Sequence, residues 1–497
     1  MINTCFNFNL IKPHLKHKLI SFLTRSSPNP HQFRHFSSQT RTYSNKQQSF
    51  LSLFNKSNTK LEIEQLHAHI IRTGFNQNLF VVGKIIVFCA VSDQCLMDYA
   101  VSIFEKINNP DGFLWNTMIR GFAKMNQVDN VFCYYKMMLE HEQSVDNFTL
   151  SFLLKASGQF GSVLLGKQLH CSVVKRGFDC HVFVRNTLIH MYGMLKDVIV
   201  ARQLFDEMSE PDIVTWNTII DCYVCCGKHR EALDLFSRMQ NACVTPDDAT
   251  LVVVLSACAA LGVLDIGRWV HLIVNRRCLM KDVMIANSVM HMYMRCGEIQ
   301  EACKIFDKMS DKNLVTWNTM ILGHATHGHV QDALSLFSSM INEKLGPPDE
   351  VTFLGVLTAC SHGGMIKEGR QYFNRMTDEY NIKPTIKHFG CMVDMLSRVG
   401  LVTEAYDLVQ NMPMKCNAIV LRTLLAGCNM HGNIKLAENV RRRLLEVDPD
   451  HSSDYVLLAN TYASLDDWNQ VSLIRRSMAA NKVQKPSPGN SFIPVRG

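Results

Sequence analysis

A seven-residue phrase recurs at a fixed interval of 101 residues. Phe113-Leu114-Trp115-Asn116-Thr117-Met118-Ile119 returns as Val214-Thr215-Trp216-Asn217-Thr218-Ile219-Ile220 and again as Val315-Thr316-Trp317-Asn318-Thr319-Met320-Ile321. The same interval carries Leu204-Phe205-Asp206-Glu207-Met208 to Ile305-Phe306-Asp307-Lys308-Met309. Self-similarity over most of a chain predicts one structural unit stacked many times in place of a single globular core. Function is then expected along a repeated surface.

Counted from Gly112, the period divides into 112–146, 147–181 and 182–212, then 213–247, 248–282 and 283–313, with lengths 35, 35 and 31 in both rounds. A third round runs 314–349, 350–385 and 386–417, while 79–111 matches the short type and about 49–78 reads as a truncated unit. Each unit reads as two helices. In 213–247, Trp216, Ile219, Ile220 and Tyr223 recur at helical spacing up to Gly227, a residue type that ends helices by adopting a left-handed backbone. Ala232, Leu233, Leu235, Phe236 and Met239 then mark a second amphipathic helix, with Pro246 expected to break it. One helix pair cannot bury its apolar face alone, so neighbours must stack. The expected fold is an all-α solenoid.

Net charge is +7, which taken alone suggests a nucleic-acid binder. Residues 1–60, however, hold nine Lys or Arg and no acid, and subtracting the nine leaves 42 basic against 44 acidic residues. An anionic ligand must therefore be held by local placement. The acid-free leader, rich in Ser, Asn, His, Phe and Arg, has the composition of an organellar transit peptide. Arg34-His35-Phe36-Ser37 and Arg41-Thr42-Tyr43-Ser44 resemble mitochondrial processing sites, so a mitochondrion is expected, with the chloroplast as alternative. The longest apolar stretch, 251–264, is too short to span a bilayer, and no membrane association is expected.

The eighteen cysteines are scattered through helical segments and are expected to be reduced, buried thiols. Cys222 and Cys225 form the single Cys-x-x-Cys, short of the four ligands of structural zinc. Zinc-dependent nucleobase deamination needs His-x-Glu followed by Pro-Cys-x-x-Cys. Here His229-Arg230-Glu231 follows the cysteines and opens a repeat's second helix. The pairs His67/His69 and His327/His329 have no ligand cluster in the sequence and read as surface or cap residues. Gly363-Gly364 fits an inter-helix turn, and no phosphate-binding loop is present. The chain is expected to be no enzyme, with no metal and no cofactor.

Val214-Thr215-Trp216-Asn217-Thr218-Ile219-Ile220, Arg230-Glu231-Ala232-Leu233-Asp234-Leu235-Phe236-Ser237-Arg238-Met239 and the closing Pro246-Asp247 together resemble the pentatricopeptide repeat. The 35, 35, 31 rotation is similar to the plant PLS subclass. After Asn417, Leu424-Leu425-Ala426-Gly427-Cys428-Asn429-Met430-His431-Gly432, Tyr455-Val456-Leu457-Leu458-Ala459-Asn460-Thr461-Tyr462-Ala463 and Pro488-Gly489-Asn490-Ser491-Phe492-Ile493 resemble the E extension of that subclass, with Phe492 where the family usually has Trp. In many relatives a DYW deaminase domain would follow; this sequence ends at Gly497. The resemblance implies a right-handed superhelix of helix-turn-helix units. It divides the chain into a leader (1–48), about eleven repeats (49–417) and an E extension (418–497).

In the resembled family the fifth and last residues of a motif read a base edge, and second residues of adjoining motifs sandwich its face. Carried over, the reading pairs are Asn116/Asp146, Asn186/Asp212, Asn217/Asp247, Asn287/Asn313 and Asn318/Asp349. The sandwich positions are Phe113, Phe148, Phe183, Val214, Met284 and Val315. Asn with Asp implies uracil, and Asn with Asn cytosine. Gly83/Asp111, Ser151/His181, Val252/Asp282, Leu354/Thr385 and Gly390/Asn417 are uninformative in that code. Each position also has a purely structural account, because Asn is favoured as a helix cap and Pro-Asp makes ordinary turns. The implied function is site recognition for C-to-U editing of organellar RNA, with a deaminase in trans and organellar editing-factor proteins as partners. Splicing, stabilisation or translation of organellar RNA is the alternative, and a protein-interaction scaffold the third.

Overall fold

The computed structural model describes residues 50, 53–54, 59–92, 96–343, 346–448, 451–463, 466–481 and 483. The expected leader (1–48) and the closing segment at 488–493 lie outside the described residues. Among the described residues there are 25 α-helices, one short 3-10 turn and no strand. None of the helices is long and apolar enough to cross a membrane.

The chain forms two compact units that part between Val253 and Val254, within helix Asp248–Leu261. In the first, the leading helices Leu79–Val91, Gly112–Lys124, Asn147–Phe160, Val182–Met194 and Ile213–Cys225 pack each against the next. In the second, Val283–Arg295, Leu314–Thr326, Glu350–Gly363, Ile386–Arg398, Ala418–Met430 and Ser452–Ala463 do the same. Each leading helix also packs on its own second helix. Both units are stretches of α-solenoid.

Local chemistry sets the helix ends. Asp212 caps helix Ile213–Cys225 by accepting from the Thr215 amide, and Gly227 beyond its end takes φ +74°. The second helix, His229–Asn241, buries Ala232, Leu233, Leu235, Phe236 and Met239, the face its periodicity marks. Its end differs from expectation. Cys243, at φ +57°, turns the chain, and the Val244 amide donates to Met239 O, so the helix is closed before Pro246 is reached. A backbone hydrogen bond across a left-handed residue satisfies the last carbonyls without proline.

The repeated Trp staples one unit to the one before. Trp115, Trp216 and Trp317 are almost fully buried and meet Phe104, Phe205 and Phe306 edge-on, with ring centroids 4.8, 4.8 and 5.0 Å apart. Both members of each pair recur at the same interval, so the core is a one-dimensional series of identical contacts. At Gly193 the approach between leading helices is close. A Cβ there would lie 2.8 Å from Cys222 Sγ and 3.3 Å from Cys222 Cα.

Candidate functional site

The five Asn residues at the fifth position lie inside their helices and cap nothing. Each instead reaches the last residue of its own unit, which caps the next leading helix. Asn217 Nδ2 donates to Asp247 Oδ1 at 2.9 Å, Asn318 Nδ2 to Asp349 Oδ1 at 2.9 Å and Asn116 Nδ2 to both Asp146 oxygens at 3.1 Å. Asn186 and Asp212 are 3.5 Å apart in the same arrangement. A third residue completes the set, the Thr at position three of the following unit. Thr149, Thr215, Thr250 and Thr352 donate to the Asn amide oxygen at 2.7, 2.8, 2.6 and 2.6 Å.

The orientation of each amide is thereby fixed, with its NH2 toward the carboxylate and its oxygen toward the hydroxyl. An amide offers two donors and two acceptor sites. In the Asn217 and Asn318 sets one of each is used inside the protein, leaving one N–H and one lone pair not engaged by these bonds. Asn287 differs. Its Nδ2 is 3.3 Å from Asn313 Oδ1, and Thr316 bonds that same Asn313 oxygen at 3.0 Å, so the buried Asn287 Oδ1 is left without a donor.

In each compact unit, exposed apolar residues stand at the second position of the same leading helices. Phe113, Phe148, Phe183 and Val214 are about half exposed, and Met284 and Val315 more than a third. Phe80 and Val351 occupy the same second position. Phe148 and Phe183 touch, with ring centroids 5.9 Å apart.

One helical turn past the fifth positions Asn116, Ser151, Asn186, Asn217 and Asn287 lies a titratable series: Arg120, Lys155, His190, Asp221 and His291. Burial lowers the pKa of Arg120, and burial with the nearby Arg120 charge lowers that of Lys155. His190 is lowered by burial and by Lys155, and His291 falls to about 4 through burial and Arg295. Burial pushes the Asp221 carboxyl up to about 6, against a weak hydrogen bond from Cys225 that lowers it.

Two family models of the pentatricopeptide repeat match within this array. The PPR repeat family covers 211–260 and 312–362, and the PPR repeat covers 113–142, 183–212, 285–314, 351–380 and 388–416. The E motif matches 431–494. A pentatricopeptide repeat-containing protein of Arabidopsis thaliana, described as chloroplastic/mitochondrial, is 39% identical over 92% of this chain and 74% of its own length. The chain belongs to the pentatricopeptide repeat family. A second Arabidopsis thaliana member is 36% identical over 90% of this chain and 89% of its own. The crystal structure of the maize pentatricopeptide repeat protein PPR10 in complex with an 18-nt psaJ RNA element shares the fold, with TM-score 0.51 at 16% identity over 95% of this chain and 84% of that one.

The pentatricopeptide pairs that the family code reads poorly also lack the cross-unit link. Ser151 Oγ turns to the backbone at Asn147 O, and His181 precedes its helix without a side-chain cap bond. Asp111, Asp282 and Asn417 cap the following helices at the amides of Leu114, Met284 and Val420. Gly83, Val252 and Gly390 offer no polar side chain to them. Leu354 is equally apolar, and Thr385 pairs with His388, whose ring occupies the position of the linking Thr.

The linking Thr residues were absent from the sequence reading, although the sequence carries their signal. Thr stands third in a unit wherever the preceding unit has Asn fifth and Asp or Asn last, and nowhere else from 79 to 420 is that position Thr. The cysteines correct a second expectation. Cys89, Cys222, Cys258, Cys360 and Cys428 are buried, whereas Cys133, Cys171, Cys180, Cys225, Cys243 and Cys278 are exposed. Cys225 of the Cys-x-x-Cys pair thus contacts Asp221 at the surface and is no core residue. Cys222, Cys225, His229 and Glu231 do not gather into a donor group of metal-binding size.

Proposed function

We propose that the chain is a non-catalytic site-recognition factor that binds single-stranded organellar RNA and directs C-to-U editing by a deaminase acting in trans. The observation that carries the RNA reading is the repeated Asn–Asp–Thr link together with the exposed apolar side chains at the second position. A single strand presents unstacked bases, each with a polar edge and an apolar face. Four units supply an oriented amide, and exposed apolar side chains recur at the second position, which suits that periodic ligand better than any single pocket would.

The array then reads Asn116/Asp146, Asn217/Asp247, Asn186/Asp212 and Asn318/Asp349 as uracil, and Asn287/Asn313 as cytosine or uracil. From 112–146 to 314–349 the target is U, any, U, U, any, C or U, U. The edited cytidine lies four nucleotides 3′ of the base facing unit 386–417. The E motif at 431–494 favours editing and the recruitment of editing-factor proteins. The organellar description of the Arabidopsis relative supports an organellar address, and the leader's processing-like sites favour the mitochondrion over the chloroplast.

Sequencing of organellar transcripts from a loss-of-function plant tests this function. One unedited cytidine downstream of a matching pyrimidine tract is expected. An unspliced intron or a shortened transcript with all sites edited would replace editing by processing. A reporter fused to residues 1–60 tests the address, and a cytosolic signal would overturn it.

A further inference from the structure

The turn between helices Leu314–Thr326 and Val330–Asn342 gathers three donor atoms that the RNA-reading row does not use. His324 Nδ1 and His329 Nδ1 each lie 3.7 Å from Asp332 Oδ2, and all three atoms fall within 4.8 Å of one another. These separations exceed hydrogen-bond length. Zinc bonds to imidazole nitrogen and carboxylate oxygen are about 2.0–2.2 Å, which places two tetrahedral donors roughly 3.4 Å apart. A shift of about an ångström in the exposed His329 and Asp332 side chains would bring the trio to that spacing.

His324 points to a ligand independently of the cluster. The residue is 6% exposed, and its Nδ1, aimed at Asp332, is buried without a hydrogen-bond partner. An unmet polar atom in the interior is costly and calls for a partner. On the opposite side of the ring, Nε2 lies 3.6 Å from Cys303 Sγ. In the tautomer with the ring proton on Nε2, Nδ1 carries the lone pair that a metal needs.

The backbone holds the ligands together before any ion arrives. The His329 amide donates to His324 O at 2.9 Å, and Gly328 between them takes φ +77°. Asp332 follows His329 by three residues, on the same side of the first turn of its helix. His327, which the sequence paired with His329, is no part of this group; its Nε2 is 2.6 Å from Met294 O.

We propose that His324, His329 and Asp332 form a binding site for a zinc-type divalent cation, with solvent completing the coordination. Two imidazoles and one carboxylate suit zinc and disfavour magnesium, which takes oxygen ligands. His329 and Asp332 are about half exposed or more, which gives the ion a path from solvent. This site is independent of RNA recognition and departs from the metal-free expectation of the sequence.

Titration of the metal-stripped full-length protein with Zn2+ and with Co2+ decides the matter. The expected result is one equivalent of Co2+ giving visible d–d absorption, displaced by Zn2+ and untouched by millimolar Mg2+. The Co2+ spectrum also separates this site from adventitious thiolate ligation, which adds a sulfur charge-transfer band. His329→Asn and Asp332→Asn change exposed side chains and should preserve the helical circular dichroism. Each should weaken Zn2+ binding more than about tenfold, the loss that even outer partners of metal ligands cause. Zn2+ should raise the melting temperature of the unmodified protein and not that of these variants. Binding unchanged in both variants, or equal binding of Mg2+, would overturn the site.

Discussion

Thr250 Oγ1 lies 2.6 Å from Asn217 Oδ1, so a hydroxyl of one repeat sets the amide of the repeat before it. The same hydroxyl oxygen accepts the Asp247 amide at 3.0 Å, and the Thr250 amide donates to Asp247 Oδ1 at 2.9 Å. The capping residue and the fifth-position residue are therefore parts of one hydrogen-bonded set. The structural and RNA-reading accounts of these positions do not compete, because a carboxylate has lone pairs enough for both.

Thr250→Val removes the hydroxyl and keeps the backbone cap. With its orientation released, Asn217 should lose discrimination between uracil and other bases at the fourth base of the target, by about 1 kcal/mol, the typical worth of one hydrogen bond. Fluorescence anisotropy on RNAs varied at that base measures it. Unaltered discrimination would show that the Thr has no part in orienting the amide.

Asn217→Thr, with Asp247 kept, places one hydroxyl where an amide stood and should move preference at that base from U toward G. One mismatched reading position should cost on the order of 1–3 kcal/mol. An equal loss on every RNA would assign Asn217 a structural role only.

Phe183→Ala trims a side chain that is about half exposed, so little stability should be lost. Binding should weaken by about 1–3 kcal/mol whatever base is opposite, since stacking is tolerant of sequence. Wild-type affinity in this variant would remove the second-position row from the RNA surface.

Asp221 gives a pH signature. Its folded pKa of about 6 lies above the unfolded value near 3.8, so folding takes up a proton between them. Stability from this group falls as pH rises through roughly 4 to 6 and is lowest above that window. Asp221→Asn should raise stability at pH 7 by about 1–3 kcal/mol and flatten the dependence in that window. Urea denaturation at several pH values checks it, and an unchanged slope would place the titration elsewhere.

The Trp phrase, the 101-residue interval and the two apolar stripes of each unit were sufficient to specify an all-α repeat stack, because helix period and repeat length are properties of the chain itself. The second-position residues followed from the family resemblance, and their exposure is a finding of the structure. Phe80 and Val351 were missed in weaker units where the phrase is altered. The linking Thr was visible as a pattern, but its meaning was not, since nothing local says that a residue in one unit bonds the fifth residue of the unit before.

Helix pairing thus followed from short-range periodicity in the sequence, and the candidate reading positions were what the family resemblance implied. Tertiary structure decided the rest. It brought Asn217, Asp247 and Thr250 together across 33 residues, left Asn287 Oδ1 without a donor, and raised the Asp221 pKa by burial. It also turned His324 toward Asp332 and left His327 against a neighbouring helix. Hydrogen-bond partners and desolvation depend on which surfaces are pressed together, and packing of one unit on the next fixes that.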